Sequence, residues 1–197
     1  MSENTIQYKL SWSEYGTLVE DLWKDLDEKL KQHSVKTDAI IAILREGVFT
    51  AMPLAYKLNT YKVIPIQFKY ILYDGSNELK QITKIPELNY TLPENPVFLL
   101  CDTFPSGGKT KTLAIEEFKK LYPGAKFIFA SLMQDVSAEE NKDILFSAYA
   151  ADVNKDWETT HPVYAKAGVT NVLYTALPWG NIDEELAGPN MTKWDYN

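Results

Sequence analysis

The chain has 197 residues, 45% of them hydrophobic and 24% charged, which suits one folded domain rather than a disordered segment. Its formal charge of −7 argues against a nucleic-acid surface, which needs clustered Lys and Arg, although an acidic protein can still bind a phosphorylated metabolite locally. The lone Cys101 excludes an intramolecular disulfide and a Cys-rich zinc site. M1-S-E-N-T-I-Q7 lacks the basic and apolar regions of a signal peptide, and no apolar run approaches membrane-spanning length. A cytoplasmic protein with no membrane partner is expected. There is no internal repeat or low-complexity linker, so residues 1–197 read as a single domain.

In chain order, S11-W-S-E14 has the form of a capping box, and Tyr15, Leu18, Leu22, Leu26 and Leu30 continue it as one apolar helical stripe to about Lys31. A39-I-I-A-I-L44 is a continuous apolar run, the pattern of a strand buried on both faces. After R45-E-G47, V48 to L58 predicts a helix, with Pro53 tolerated in its first turn if it starts near Thr50. V63 to L72 predicts a strand, Y73-D-G-S-N-E78 a turn, and K80 to P96, with three prolines, a loop or hairpin. V97 to L100 is the next strand, K109 to L121 a helix ended by Y122-P-G124, and K126 to L132 another strand. From Asp135 to Thr170 the pattern weakens: 138–145 reads as helix and 154–161 as surface loop. V172 to L177 is a late strand before P178-W-G180. Strands alternating with helices at this spacing predict an α/β fold with a mainly parallel sheet flanked by helices.

Ligands of open parallel sheets collect beyond the carboxyl ends of the strands, and two loops fall there. L44-R-E-G47 offers a cation, a glycine and free amides at a helix start, which favour phosphate or pyrophosphate. Taken singly, an ordinary strand–helix turn with a solvated Arg accounts for it better. The second is L99-L-C-D-T-F-P-S-G-G-K-T110. Gly107 and Gly108 allow close backbone approach, Ser106 and Thr110 add hydroxyls, and Lys109 adds charge. G108-K-T110 is not a nucleotide-binding P-loop, because position 103 is Thr where that motif needs glycine. Asp102 suits a sugar hydroxyl or a divalent cation, and equally an Asx turn or helix-approach cap. Tyr174 and Trp179 offer flat faces for a heterocycle, although core packing is the commoner use of either.

Together, in this order, these segments resemble the type I phosphoribosyltransferases, and more closely the bacterial xanthine–guanine and hypoxanthine branch, from about Tyr8 to Trp179. The resemblance implies that family's α/β fold with a hood built from the N-terminal segment and roughly 133–190, enlarged here by an apparent insertion over roughly Asp135 to Thr170. It implies a pentosyl-transferring glycosyltransferase of nucleotide salvage. Such an enzyme moves ribose 5-phosphate from phosphoribosyl pyrophosphate (PRPP) to a purine or other nitrogenous base, with Mg²⁺ as cofactor and pyrophosphate as product. By the same resemblance Arg45, the Arg45–Glu46 peptide (often strained or cis in the family) and Gly47 contact pyrophosphate. Ser106, Gly107, Gly108, Lys109 and Thr110 cradle the 5-phosphate, and Asp102 holds ribose hydroxyls or the metal. Arg45 and Asp102 are the expected catalytic pair. Tyr73 and Asp74 begin a flexible loop that closes over the site, Gln134, Tyr174 and Trp179 hold the base, and a homodimer is the common assembly.

The chain departs from the family where chemistry is concentrated. The family signature has two adjacent acids and a third three residues on; here Cys101, Asp102 and Pro105 stand there. Pro105 has no proton acceptor in its side chain, where purine members place the proposed general base. Met133 and Gln134 replace the lysine that reads the exocyclic oxygen. Three readings therefore remain: an active transferase with an unusual base or proton acceptor, a PRPP- or nucleotide-binding regulator without turnover, or another pentose-phosphate transferase or hydrolase on the same scaffold.

Overall fold

The computed structural model describes residues 6–73, 76–103, 108–135, 141–153 and 172–180. A short strand, β1 (Ile6–Lys9), leads into α1 (Trp12–His33). The capping box forms as read: Glu14 N–H donates to Ser11 Oγ at 3.2 Å, and Ser11 N–H donates to Glu14 Oε2 at 2.7 Å. Leu18, Val19, Leu22 and Leu26 form the buried stripe of the helix. There follow β2 (Ala39–Leu44), α2 (Gly47–Lys57), β3 (Val63–Tyr73), β4 (Ser76–Thr83), β5 (Val97–Asp102), α3 (Lys109–Leu121), β6 (Lys126–Asp135), β7 (Ile144–Val153) and β8 (Val172–Ala176).

Six strands form one sheet in the order β4-β3-β2-β5-β6-β7, parallel throughout except for β4 against β3. The alternation of β2 divides the core between the two faces. Ile40 and Ala42 pack with Leu18, Leu22 and Leu26 of α1 and with Ala51 and Leu54 of α2. Ala39, Ile41 and Ile43 pack with Ala114, Ile115 and Phe118 of α3. The sheet is buried on both faces, which is why its strands read as unbroken apolar runs. A second, two-stranded sheet pairs β1 with β8 in parallel, so the start of the chain and its late strand meet. At the edge strand β7, α1 answers the backbone: Tyr149 N–H donates to Asp25 Oδ2 at 2.9 Å, and Lys29 Nζ donates to Ser147 O at 2.8 Å.

Two expectations change and one is narrowed to its hairpin alternative. The 138–145 helix is not formed within the described residues: 141–143 are irregular, and Ile144 and Leu145 open β7, so part of that stretch belongs to the main sheet. Of the 80–96 segment, residues up to Thr83 form a hairpin strand with β3. Third, α2 starts at Gly47, so Pro53 lies well inside it rather than in its first turn. Lacking an N–H, Pro53 leaves the carbonyl of Phe49 without its i+4 donor. The Tyr15 hydroxyl, reaching in from α1, donates to that oxygen at 2.6 Å. Tyr15→Phe is therefore expected to cost about 1–1.5 kcal/mol in urea unfolding. Pro53→Ala should be more favourable in the Tyr15→Phe background than in the wild type; a double-mutant cycle with no coupling would refute this compensation.

Candidate functional site

The order of the sheet creates a switch point. From β2 the chain steps outward to β3, then returns to the other side of β2 as β5. Ile41 lies beside Leu100 and Ala42 beside Cys101, so β2 and β5 release their following loops at the same end of the sheet. The loop after β2 holds a cis peptide at Leu44–Arg45, one bond before the Arg45–Glu46 link singled out from sequence. Arg45 is exposed, Glu46 half-buried and Gly47 buried at the head of α2. Gly47 is required by close approach: a Cβ there would stand 2.4 Å from the carbonyl oxygen of Cys101.

Thr103 fastens the two loops together. Its hydroxyl donates to the Glu46 carbonyl at 2.9 Å and lies 3.4 Å from the Thr50 hydroxyl. Its own carbonyl accepts from Ser131 Oγ at 2.8 Å and from Met133 N–H at 3.2 Å, which adds β6 to the junction. Asp102, beside it, accepts the Thr103 N–H on Oδ1 at 2.8 Å. Desolvation raises the Asp102 carboxyl to about 7; the Thr103 N–H opposes the shift and the charge of Glu46 adds to it. Burial, with Asp102 next to it, pushes the Cys101 thiol up, and the side chain sits in the core among Leu99 and Ala130. Cys101 is thus a neutral packing residue and no substitute for a carboxylate.

Asp102 fits a divalent cation, which would offset both the desolvation and the repulsion from Glu46. Among the described residues no group of three or more His, Cys, Asp or Glu converges on a common point. The other oxygens around Mg²⁺ would have to come from phosphates and water, as is usual for that ion.

Past β5, Gly108 caps α3 at φ 69°, a left-handed conformation that glycine adopts without strain. Lys109 and Thr110 open the helix, exposed and half-buried respectively, with the free amides of the first turn nearby. Ser106 and Gly107 lie outside the described residues, as does Asp74. Tyr73 ends β3 of the hairpin. Gln134 lies on β6 opposite Asp152, and Tyr174 on β8 opposite Gln7. Trp179 follows β8 and enters an aromatic quartet. It stacks on Phe49 (centroids 3.7 Å apart, planes at 9°), meets Tyr15 edge-on at 5.2 Å and lies 5.9 Å from Trp12. Thr103, Thr50, Phe49 and Tyr15 were not among the residues predicted for the site. A hydroxyl residue directly after a strand-terminal acid was the available signal for Thr103. An open groove beside α3, lined by Thr112, Lys119 and Asp143 among others, draws on none of these residues.

A mainly parallel α/β sheet that releases two loops side by side at its switch point is the kind of architecture to which the phosphoribosyltransferases belong. The profile of the phosphoribosyl transferase domain matches residues 11–165, and the chain belongs to that family. Among solved structures it is similar to the purine phosphoribosyltransferase of Pyrococcus horikoshii, at 21% identity and TM-score 0.60, covering 89% of this chain and 94% of that one. The Helicobacter pylori xanthine–guanine–hypoxanthine phosphoribosyltransferase matches at 15% identity and TM-score 0.61, over 92% and 99% of the two chains. A hypothetical protein from Neisseria gonorrhoeae with bound ppGpp matches at 16% identity and TM-score 0.63, over 93% and 94%. No curated protein sequence matches. At these identities the likeness establishes the type I fold; among the described residues, no helix is long and apolar enough to cross a membrane.

Proposed function

We propose that the protein is a Mg²⁺-dependent phosphoribosyltransferase acting on PRPP and a purine or other nitrogenous base. The observation that carries this reading is the 2.9 Å hydrogen bond from Thr103 to the Glu46 carbonyl, which holds the Arg45–Gly47 loop against the loop bearing Asp102. The two loops would otherwise be independent connections. Tied together, they offer one surface where a pyrophosphate and a ribose could be held at once.

In the proposed reaction a base nitrogen attacks C1′ of the ribose. The C1′–oxygen bond breaks, its electron pair leaves with pyrophosphate, and the proton on the attacking nitrogen passes to an acceptor other than residue 105. Arg45 and the amides at the head of α2 bind the departing pyrophosphate, where negative charge grows. Asp102 orients the ribose hydroxyls or holds Mg²⁺, which when bound supplies further charge neutralisation. Ser106, Gly107, Gly108, Lys109 and Thr110 hold the 5-phosphate at the N-terminus of α3. Gln134, Tyr174 and Trp179 hold the base, and the β3–β4 hairpin covers the site. A homodimer is proposed as the assembly.

A second reading, a PRPP- or nucleotide-binding regulator, is favoured by one observation: Cys101, at the position of the family's first acid, is a buried neutral thiol. Thermal unfolding with PRPP and Mg²⁺ tests both readings. Ligand at about a hundred times its Kd should stabilise the fold by about 2.7 kcal/mol. No shift at saturation removes both readings. A shift without pyrophosphate release on any purine or pyrimidine base removes the enzyme and leaves the regulator.

A further inference from the structure

The Phe49–Trp179 pair is the tightest and most nearly coplanar ring contact among the described residues. Phe98 meets Phe118 edge-on at 5.0 Å and 64°, and the other stacked pairs, His33–Phe146 and Phe98–Phe127, stand at 4.6 Å and 17° and at 5.7 Å and 28°, within the spacing that protein rings ordinarily adopt. Phe49 instead lies flat on the indole, at 3.7 Å and 9°. That is the geometry of a planar ligand on an aromatic platform. Trp179 Nε1 is also buried and, among the described residues, has no hydrogen-bond partner.

Phe49 is placed where it bears on the site. It lies two residues beyond Gly47 in the first turn of α2, and its neighbour Thr50 reaches Thr103 beside Asp102. Its backbone is held at both ends, by its own N–H to Glu46 O at 2.9 Å and by Tyr15 Oη to its carbonyl at 2.6 Å. With its backbone so held, the ring can leave Trp179 by side-chain rotation while the loop that carries Arg45 stays in place.

We propose that Phe49 gates the base subsite: its ring occupies the face of Trp179 on which a planar base would stack, and must swing away for the base to bind. This rests on the phosphoribosyltransferase reading above. A ligand entering the slot has to replace the lost Phe49–Trp179 stack. Its apparent affinity falls by the fraction of molecules in which the slot is open. That factor is the same for every base, so the gate sets base-bearing ligands apart from those without a base and leaves the choice between purine and pyrimidine to the open slot. Ribose 5-phosphate, which has no base, is unaffected.

The test compares binding of GMP, IMP, UMP and ribose 5-phosphate by calorimetry to wild type and Phe49→Leu, with Phe49→Met as a second variant should the first fail to fold. Both substitutions keep an apolar side chain of similar bulk without a flat ring. The expected result is about 2- to 10-fold tighter binding of the nucleotides, the range of one aromatic pair, with ribose 5-phosphate and the purine-to-pyrimidine ratio unchanged. If ribose 5-phosphate binds and no nucleotide gains relative to it, Phe49 is core packing and the gate is wrong. If ribose 5-phosphate binds neither wild type nor variant, the functional reading itself fails, and the gate with it.

Discussion

Gly47→Ala is expected to lower the unfolding free energy by about 2 kcal/mol and, with it, Tm by roughly 4–8 °C. Two effects oppose each other at this residue. Alanine is the better helix former by up to about 1 kcal/mol, which alone would stabilise α2. Against this, the added Cβ would stand 2.4 Å from Cys101 O, 3.3 Å from Cys101 C and 3.4 Å from Asp102 Cα. All three are backbone atoms of β5, so no rotamer change relieves the contact. Relief requires the head of α2 to move away from β5, stretching the Thr103–Glu46 bond and separating Arg45 from Asp102. The clash therefore decides the sign, and PRPP protection should fall together with stability. Gly16→Ala is the matched control. That glycine lies within α1, and a Cβ added there would have nothing within 4 Å, so the substitution should stabilise by up to about 1 kcal/mol. Thermal unfolding of the two variants side by side separates the effects. Equal behaviour of both would show that the close approach at Gly47 carries no weight.

The elements most legible in the sequence were those whose cause is local. β2 and α3 fall at the bounds read for them, because an unbroken apolar run flanked by turn residues and a periodic run ended by Y122-P-G124 carry their own punctuation. β1 and β7 were missed for the opposite reason. β1 is four residues long and exists through its pairing with β8. β7 is an edge strand whose backbone is answered by Asp25, 124 positions away along the chain. Pro53 misled the placement of α2 because its remedy, the Tyr15 hydroxyl, comes from a residue 34 positions before the carbonyl it serves. The site divides in the same way. Gly47, Asp102 and Gly108 stand at strand and helix ends, where residue type alone is informative. Thr103 acts through a bond to Glu46, 57 positions away, and Phe49 through a ring brought to it by the far end of the chain. Contacts of that kind have no local pattern to read.

Asp102 should make the ligand-free protein less stable as pH rises. In the unfolded chain its carboxyl titrates near 3.8, whereas in the folded chain desolvation and Glu46 hold it at about 7. Between those values the folded chain binds the proton more tightly than the unfolded one. The slope of unfolding free energy against pH is then negative. The contribution is fully present below about pH 4, declines across the window and is gone once pH has risen through the folded value. Asp102→Asn removes the titration while keeping an oxygen to accept the Thr103 N–H. The difference in stability between variant and wild type therefore isolates Asp102 from every other titrating group. At pH 8, relative to pH 4, that difference should move in favour of the variant by on the order of 1–3 kcal/mol. Urea unfolding of both proteins at stepped pH, without added divalent cation or PRPP, measures it. A difference that stays flat with pH would mean that the carboxyl is well solvated, and one that moves in favour of wild type would mean that a cation of the protein pairs with it. With PRPP and Mg²⁺ present the order should reverse, because the charged carboxylate that weakens the empty fold is the group proposed to hold ribose hydroxyls or metal.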